Sequence, residues 1–249
     1  MAEGPSIQLE NVCKSFDEGP LVLDSISLTA NPGEIIAIVG PSGCGKSTLL
    51  RLIADLLPVS HGCIHKTGTP ADPAFIFQDA TLLPWATVSE NISLPARLKG
   101  VDGDSRSSLA KEWAKRVGLK HALGYYPRQL SGGMKMRVSI ARALSQFPNL
   151  LLLDEPFGAL DAITRNRLNE DLLSLHEQSG WTAFFVTHSV SEAVFLSHKV
   201  IIMSDQPGKV AASIDNPIPF PRNAATRESM AFQQCVAEAT ARLHEVLSS

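Results

Sequence analysis

Cysteine is scarce: Cys13, Cys44, Cys63 and Cys235 are scattered over 249 positions. They form no CxxC pair and no zinc-finger spacing, which argues against a disulfide scaffold and makes a reducing, cytosolic compartment the expectation. Long apolar runs are missing too. None reaches the ~18–20 residues of a membrane-spanning helix, and the opening MAEGPSIQLE lacks the basic and apolar regions of a signal peptide. There is no basic excess: 22 Lys and Arg stand against 25 Asp and Glu, for a net charge of −3. A global electrostatic grip on nucleic acid is thereby disfavoured. No internal repeat or low-complexity segment interrupts the chain. What remains is a globular composition, 44% hydrophobic and 19% charged, long enough for one large α/β domain.

The patterning fills in that domain. SIQLENVCKSF and LVLDSISLTA alternate as amphipathic strands split by a DEGP turn. GEIIAIVG is a short continuous apolar run, the pattern of a strand buried on both faces. TLLRLIADLL has helical spacing and is expected to stop at Pro58. Residues 61–77 read as short strands ending in AFIFQ. From Asp79 to about Phe147 helical periods dominate, in SRSSLAKEWAKRVGL and GGMKMRVSIARAL. NLLLLDEP returns as a buried strand, DAITRNRLNEDLLSLHEQSG as a helix closed by Gly180, TAFFVTH as a strand and SVSEAVFLS as a helix. A Pro-rich turn leads to a helical tail. The expected organisation is a core from residues 1–78 and 147–220, a helical subdomain over 79–146 and a C-terminal helical tail over 221–249.

GPSGCGKSTLL carries the first chemistry. Gly40, Gly45, Lys46 and Ser47 match the phosphate-binding loop GxxxxGK[ST] in full. Phosphate oxygens must be reached by backbone N–H groups, and glycines clear that approach ahead of a helix N-terminus. Gly40, Pro41, Ser42, Gly43, Cys44, Gly45, Lys46, Ser47 and Thr48 are therefore candidate nucleotide ligands. Lys46 is expected to reach the β- and γ-phosphates, Ser47 to ligate Mg²⁺ and Thr48 to bond the α-phosphate. Cys44, beside Lys46 and a positive helix start, is expected to be a reactive thiol with a lowered pKa. The order of glycines differs from the dinucleotide fingerprint. LLLLDE then places carboxylates at the C-terminal edge of a sheet. Asp154 would hold Mg²⁺ through water, and Glu155 would act as general base on the attacking water.

LSGGM at Leu130–Met134, followed by RVSIARAL, resembles the signature sequence of ATP-binding-cassette ATPases, with Met134 where most members have Gln. The phosphate loop, Gln78, LSGGM, LLLLDEP, GALD at Gly158–Asp161 and His188 follow the family's order across most of the chain. The resemblance implies a P-loop NTPase core of the α/β class, with a mainly parallel sheet, N-terminal antiparallel strands and an inserted helical subdomain. It also implies a homodimer sandwiching two ATP, in which Ser131, Gly132 and Gly133 of one subunit bind the other subunit's nucleotide. His188 would contact the γ-phosphate, Gln78 would touch Mg²⁺ or the water, Asp161 would lie at the dimer seam and Phe16 would stack on adenine.

The kind of cassette follows by elimination. Between Gln78 and Ser131 there is no heptad pattern for a coiled coil, and these 249 residues read as one cassette without membrane helices, so a stand-alone cassette is the expectation. The resemblance then implies a peripheral subunit on the cytoplasmic face of the inner membrane. It would work with separate permeases and a substrate-binding protein, and without nucleic acid. Leu82, Leu83, Pro84 and Trp85 read as an apolar patch for a permease. LLPWATVSENI, EAVFLSHKVIIMSDQPGKV and IPFPR resemble the nitrate, sulfonate and taurine importer group, which includes members for pyrimidine-type thiamine precursors. The alternatives are a non-transport member linked to DNA or translation, and a P-loop kinase.

Overall fold

The computed structural model describes residues 4–17, 19–158 and 160–248. The first three residues of the opening, Glu18 of the DEGP turn and Ala159 of GALD lie outside the described residues. Two sheets organise the chain. β1 (Ser6–Ser15), β2 (Leu21–Ala30) and β4 (His61–Thr67) form an antiparallel sheet in the order β2-β1-β4. The larger sheet contains β3 (Ile35–Val39), β5 (Pro73–Ile76), β6 (Leu150–Asp154), β7 (Thr182–Val186), β8 (Lys199–Met203) and β9 (Val210–Asp215). Its order is β5-β6-β7-β3-β8-β9, parallel except for the β8–β9 pair.

β3, β6 and β7 are buried at every position, as their unbroken apolar runs require of central parallel strands. Alternate side chains serve opposite faces. Ile36, Ile38, Leu150, Leu152, Phe184 and Val186 pack toward the antiparallel sheet and α1 (Lys46–Ile53). Ile35, Ala37, Leu151, Leu153, Ala183 and Phe185 pack into a second core. That core is shared with α2 (Val88–Leu98), α3 (Gly103–Arg116), α4 (Gly132–Leu144), α5 (Ala162–Ser179) and α6 (Val190–Leu196). Full burial of each large aliphatic or aromatic side chain there stabilises by roughly 1.5–3 kcal/mol. One continuous apolar cluster thus joins the helical segment to the sheet.

Helix ends follow local chemistry. Thr87 and Glu90 form a reciprocal capping box on α2, and Asp102, Ser131, Asp161 and Ser189 cap α3, α4, α5 and α6. Gly180 closes α5 at φ 66° as the sequence indicates. Pro58 does not end α1. The helix stops at Ile53, capped by Ala54, and Asp55 turns the chain left-handed at φ 57°. The β8–β9 hairpin was not apparent in the sequence. The tail forms α7 (Ala224–Glu228) and α8 (Met230–Leu247). Arg222 anchors it: the guanidinium, 4% exposed, donates to the carbonyls of Val194, Phe195 and Ser197 at the end of α6.

Candidate active site

Four adjacent parallel strands, β5, β6, β7 and β3, end at one edge of the sheet. They deliver Gln78, the Asp154–Glu155 pair, His188 and the phosphate loop to the same place. Ser42, Gly43, Gly45, Lys46, Ser47, Thr48, Gln78, Glu155 and His188 line one cleft of about 360 Å³, together with Val22. Ligand clefts of open α/β sheets lie at this carboxyl edge.

The loop is held from below. Lys46 is 5% exposed, and its Nζ donates to the carbonyls of Gly40 at 2.9 Å and Pro41 at 2.6 Å. An ammonium has three donors, and the third has only a weak contact with Cys44 Sγ at 4.0 Å, which an anion would readily replace. Gly45 caps α1 at φ 99°, and a Cβ there would stand 2.7 Å from Leu23 Cδ2. Gly40 is buried, and a Cβ on it would meet the Met203 carbonyl at 2.8 Å. Its glycine thus answers to packing against β8, whereas Gly43 and Gly45 line the cleft. Gly40, Pro41 and Cys44 lie beneath the cleft's lining.

The expectation for Cys44 is corrected. The side chain is fully buried in the core beside α1. Burial raises the thiol's pKa, outweighing the nearby Lys46, so the site lacks the exposed thiolate that reactivity requires.

Ser47 Oγ donates to Asp154 Oδ1 at 2.9 Å, and Asp154 is 5% exposed. The Ser47–Asp154 pair offers oxygen donors only, which suits a hard divalent cation such as Mg²⁺, and Gln78, on the same cleft as Ser47, could add its amide oxygen. Beyond them Glu155 adopts φ 47°. A left-handed conformation costs a non-glycine residue about 1–3 kcal/mol and persists where the surroundings enforce it. Here the Glu155 N–H bonds the Val186 carbonyl at 3.0 Å. The turned carboxylate meets His188 Nε2 at 2.6 Å through Oε1 and Gln78 Nε2 at 3.4 Å through Oε2. A carboxylate accepts, so His188 carries its proton on Nε2. The imidazole side chain remains 48% exposed, against 16% for Glu155.

Several residues absent from the sequence reading support this group. Thr187 Oγ1 bonds the buried carboxyl of Glu192 and accepts from the Ser189 N–H at 3.0 Å, fixing the backbone on both sides of His188. Ser189 caps α6 by accepting from the Glu192 N–H at 3.3 Å, while the Glu192 carboxyl turns to Thr187. Burial raises the Glu192 pKa. Gln206 Nε2 donates to the Gly43 carbonyl at 2.6 Å, and Gly208 lies so close that a Cβ would overlap the Cys44 carbonyl. The β8–β9 turn therefore braces the loop. Arg142 of α4 holds the carbonyls of Ala80 and Thr81, just after Gln78.

Other expected residues are not gathered in the cleft. Ser131 caps α4 by accepting from the Met134 N–H at 3.3 Å, and Ser131 and Gly132 face solvent. Asp161 caps α5, and the Thr164 amide lowers its pKa. Phe16 is 45% exposed at the end of β1, with Lys14 Nζ 5.1 Å from its ring centre.

A parallel sheet ending in a glycine-rich phosphate loop after β3, with carboxylates at the end of β6 one strand beyond β7, defines a P-loop ATPase. The chain belongs to the ABC transporter family, which it matches over residues 23–158. It is an ATP-binding subunit of that class. It is 43% identical over 237 residues to the aliphatic sulfonates import ATP-binding protein SsuB of Bacillus cereus, covering 92% of each chain. It is 43% identical over 228 residues to the taurine import ATP-binding protein TauB of Escherichia coli O157:H7, covering 90% of this chain and 88% of the relative. Among solved structures, a dimeric ATP-binding cassette in a post-hydrolysis state with ADP and Pi aligns at a TM-score of 0.76 and 32% identity. That alignment covers 86% of this chain and all of the other.

Proposed function

We propose that this chain is the ATPase subunit of an importer for small organic anions of the sulfonate or taurine type. The observation that carries the reading is the convergence of Gln78, Glu155 and His188 over the phosphate loop, in a chain that aligns along nine-tenths of its length with import subunits for such solutes. The cassette does not touch the solute, so the solute class rests on those relatives.

In this reading Lys46 and the loop amides bind the β- and γ-phosphates, Thr48 bonds the α-phosphate and Phe16 stacks on adenine. Ser47, Asp154 and Gln78 hold Mg²⁺, which screens phosphate charge when bound. Glu155 accepts the proton of the attacking water, while His188 keeps the carboxylate aimed and reaches the γ-phosphate. The helix start at Ser131–Gly133, with Ser131 and Gly132 facing solvent, supports a second anion site used by a partner subunit, hence a homodimer around two ATP. Residues 1–78 and 147–220 act as nucleotide-binding core, 79–146 as helical subdomain and 221–249 as tail.

A membrane-facing surface is supported near Gln78. Trp85 is 74% exposed. The buried Asn91 side chain bonds the backbone of Leu83, Ala86 and Thr87 on either side of it, so the loop presents Trp85 rigidly. Leu82 departs from the expected patch and packs on the main core. No helix among the described residues is long and apolar enough to cross a membrane. The proposal therefore places the chain peripherally on the cytoplasmic face, docked on separate permeases that receive solute from a binding protein, without nucleic acid. Reconstitution with a permease pair and a binding protein of this importer group tests this. ATP turnover should rise with binding protein loaded with taurine or an alkylsulfonate. Turnover that responds to neither but rises with nitrate or a pyrimidine overturns the solute class.

A further inference from the structure

On the antiparallel sheet, outside the phosphate-loop cleft, three unlike ligands converge. Cys63 and His65 stand two apart on β4 and so share one face of the strand. Glu10 of β1 is the direct cross-strand partner of Cys63, and Gln8 is that of His65. Cys63 Sγ lies 3.1 Å from His65 Nε2 and 3.9 Å from Glu10 Oε2. His65 Nε2 lies 3.9 Å from the same Glu10 oxygen. Among the described residues this is the one group whose His, Cys and carboxylate donor atoms all fall within 4.8 Å of one another.

We propose that Glu10, Cys63 and His65 form a binding site for a borderline transition cation of the Zn²⁺ class. For a tetrahedral ion with bonds of about 2.0–2.3 Å to N, O and S, ligand atoms should stand roughly 3.3–3.6 Å apart. The observed triangle brackets that spacing, so each side chain needs to move only a few tenths of an ångström. Thiolate with imidazole selects Zn²⁺, Co²⁺ or Ni²⁺ over Mg²⁺, which separates this site from the all-oxygen set at Ser47 and Asp154. The backbone fixes the geometry: two ligands ride on one strand and the third on its hydrogen-bonded neighbour. Gln8 Nε2 donates to Glu10 Oε1 at 2.9 Å, leaving Oε2 turned toward the sulfur and imidazole as an outer-sphere bond would orient a ligand. Glu10 and His65 are half exposed, so a fourth position is open to water. The simpler account is a surface thiol hydrogen-bonded to an imidazole, with no affinity for metal.

Cobalt substitution decides between them. The full-length protein, reduced, metal-free and without nucleotide, is titrated with Co²⁺ and then with Zn²⁺. The expected result is a near-ultraviolet thiolate-to-cobalt charge-transfer band saturating at one equivalent per chain and abolished by Zn²⁺. It should be lost in Cys63→Ser, weakened in His65→Ala and Glu10→Gln, and unchanged in Cys13→Ser and Ser47→Ala. All these side chains except Ser47 lie on the surface sheet, and far-ultraviolet circular dichroism verifies that each variant is folded. Absence of the band in the wild type overturns the proposal. So does a band that survives Cys63→Ser.

Discussion

Replacing Glu155 by Gln removes a base while leaving nearly every contact in place. Gln keeps the length of the side chain, and its carbonyl oxygen can still accept from His188 Nε2, 2.6 Å away in the native pair. The other end changes sign. An amide NH₂ would face Gln78 Nε2, now 3.4 Å from Glu155 Oε2, so two donors oppose each other and Gln78 loosens. The left-handed turn at φ 47° and the amide bond to Val186 are untouched, so folding should not suffer. Loss of a general base costs typically ~10²–10⁴ in rate, which is about 2.7–5.4 kcal/mol on the barrier at 1.36 kcal/mol per tenfold. Single-turnover phosphate release with saturating ATP and Mg²⁺ should fall by that factor, while nucleotide affinity stays within a few-fold. Stalled ATP should also hold the dimer together, visible as a larger species by size-exclusion chromatography. Hydrolysis within about tenfold of wild type would refute the role assigned to Glu155. The same rate loss with equally lost nucleotide binding would refute the claim that the substitution leaves the loop intact.

Cys44, fully buried, should stay unlabelled when the native protein meets a maleimide, whereas Cys13, Cys63 and Cys235 should react; peptide mass spectrometry that finds Cys44 modified first would contradict its placement. His198 offers a pH test, because its Nδ1 accepts from the Ile35 N–H at 3.0 Å and must stay unprotonated. Burial first, then the charges of His176 and Arg222, lower its pKa to about 4. Between about 6.5 and 4 the unfolded chain therefore binds the extra proton, and stability is lost as pH falls through that window, by on the order of 1–2 kcal/mol after allowing for partial exposure. His198→Asn keeps an acceptor for Ile35 and should flatten the dependence of the urea midpoint on pH; identical slopes would refute the assignment. Mixing Lys46→Ala subunits with Ser131→Arg subunits should restore part of the ATP-driven dimerisation that each variant lacks alone, since one composite site in the mixed dimer is intact, and sedimentation that shows no recovery counts against sites shared between chains.

Contiguity explains what was legible. The phosphate loop, LLLLDE, the capped helix at Ser131 and the Gly180 stop are each written in a few adjacent residues, because a glycine's φ, a cap's reach and a strand's burial are local demands. Their chemistry could be read without knowing the fold, and the order of motifs indicated the family. Distances among them could not. Gln78, Glu155 and His188 meet because the strands align as β5-β6-β7-β3, an order that depends on crossovers between distant segments. The burial of Cys44 was invisible for the same reason: its neighbours in sequence are an anion-binding loop, but its neighbours in space are the apolar residues beneath α1. Gln206 braces the loop from 163 residues away and Arg142 braces the segment after Gln78 from 61 residues away, and no local pattern marks either, whereas Glu192 holds the His188 turn locally through Thr187. The Glu10–Cys63–His65 group, 53 residues apart at its ends' first contact, exists only through the β1–β4 register. The sequence by itself determined which backbone can wrap phosphate and which side chains can move a proton. The tertiary structure decided which of them touch, since pairing and burial are set by contacts between parts of the chain that the local code does not name.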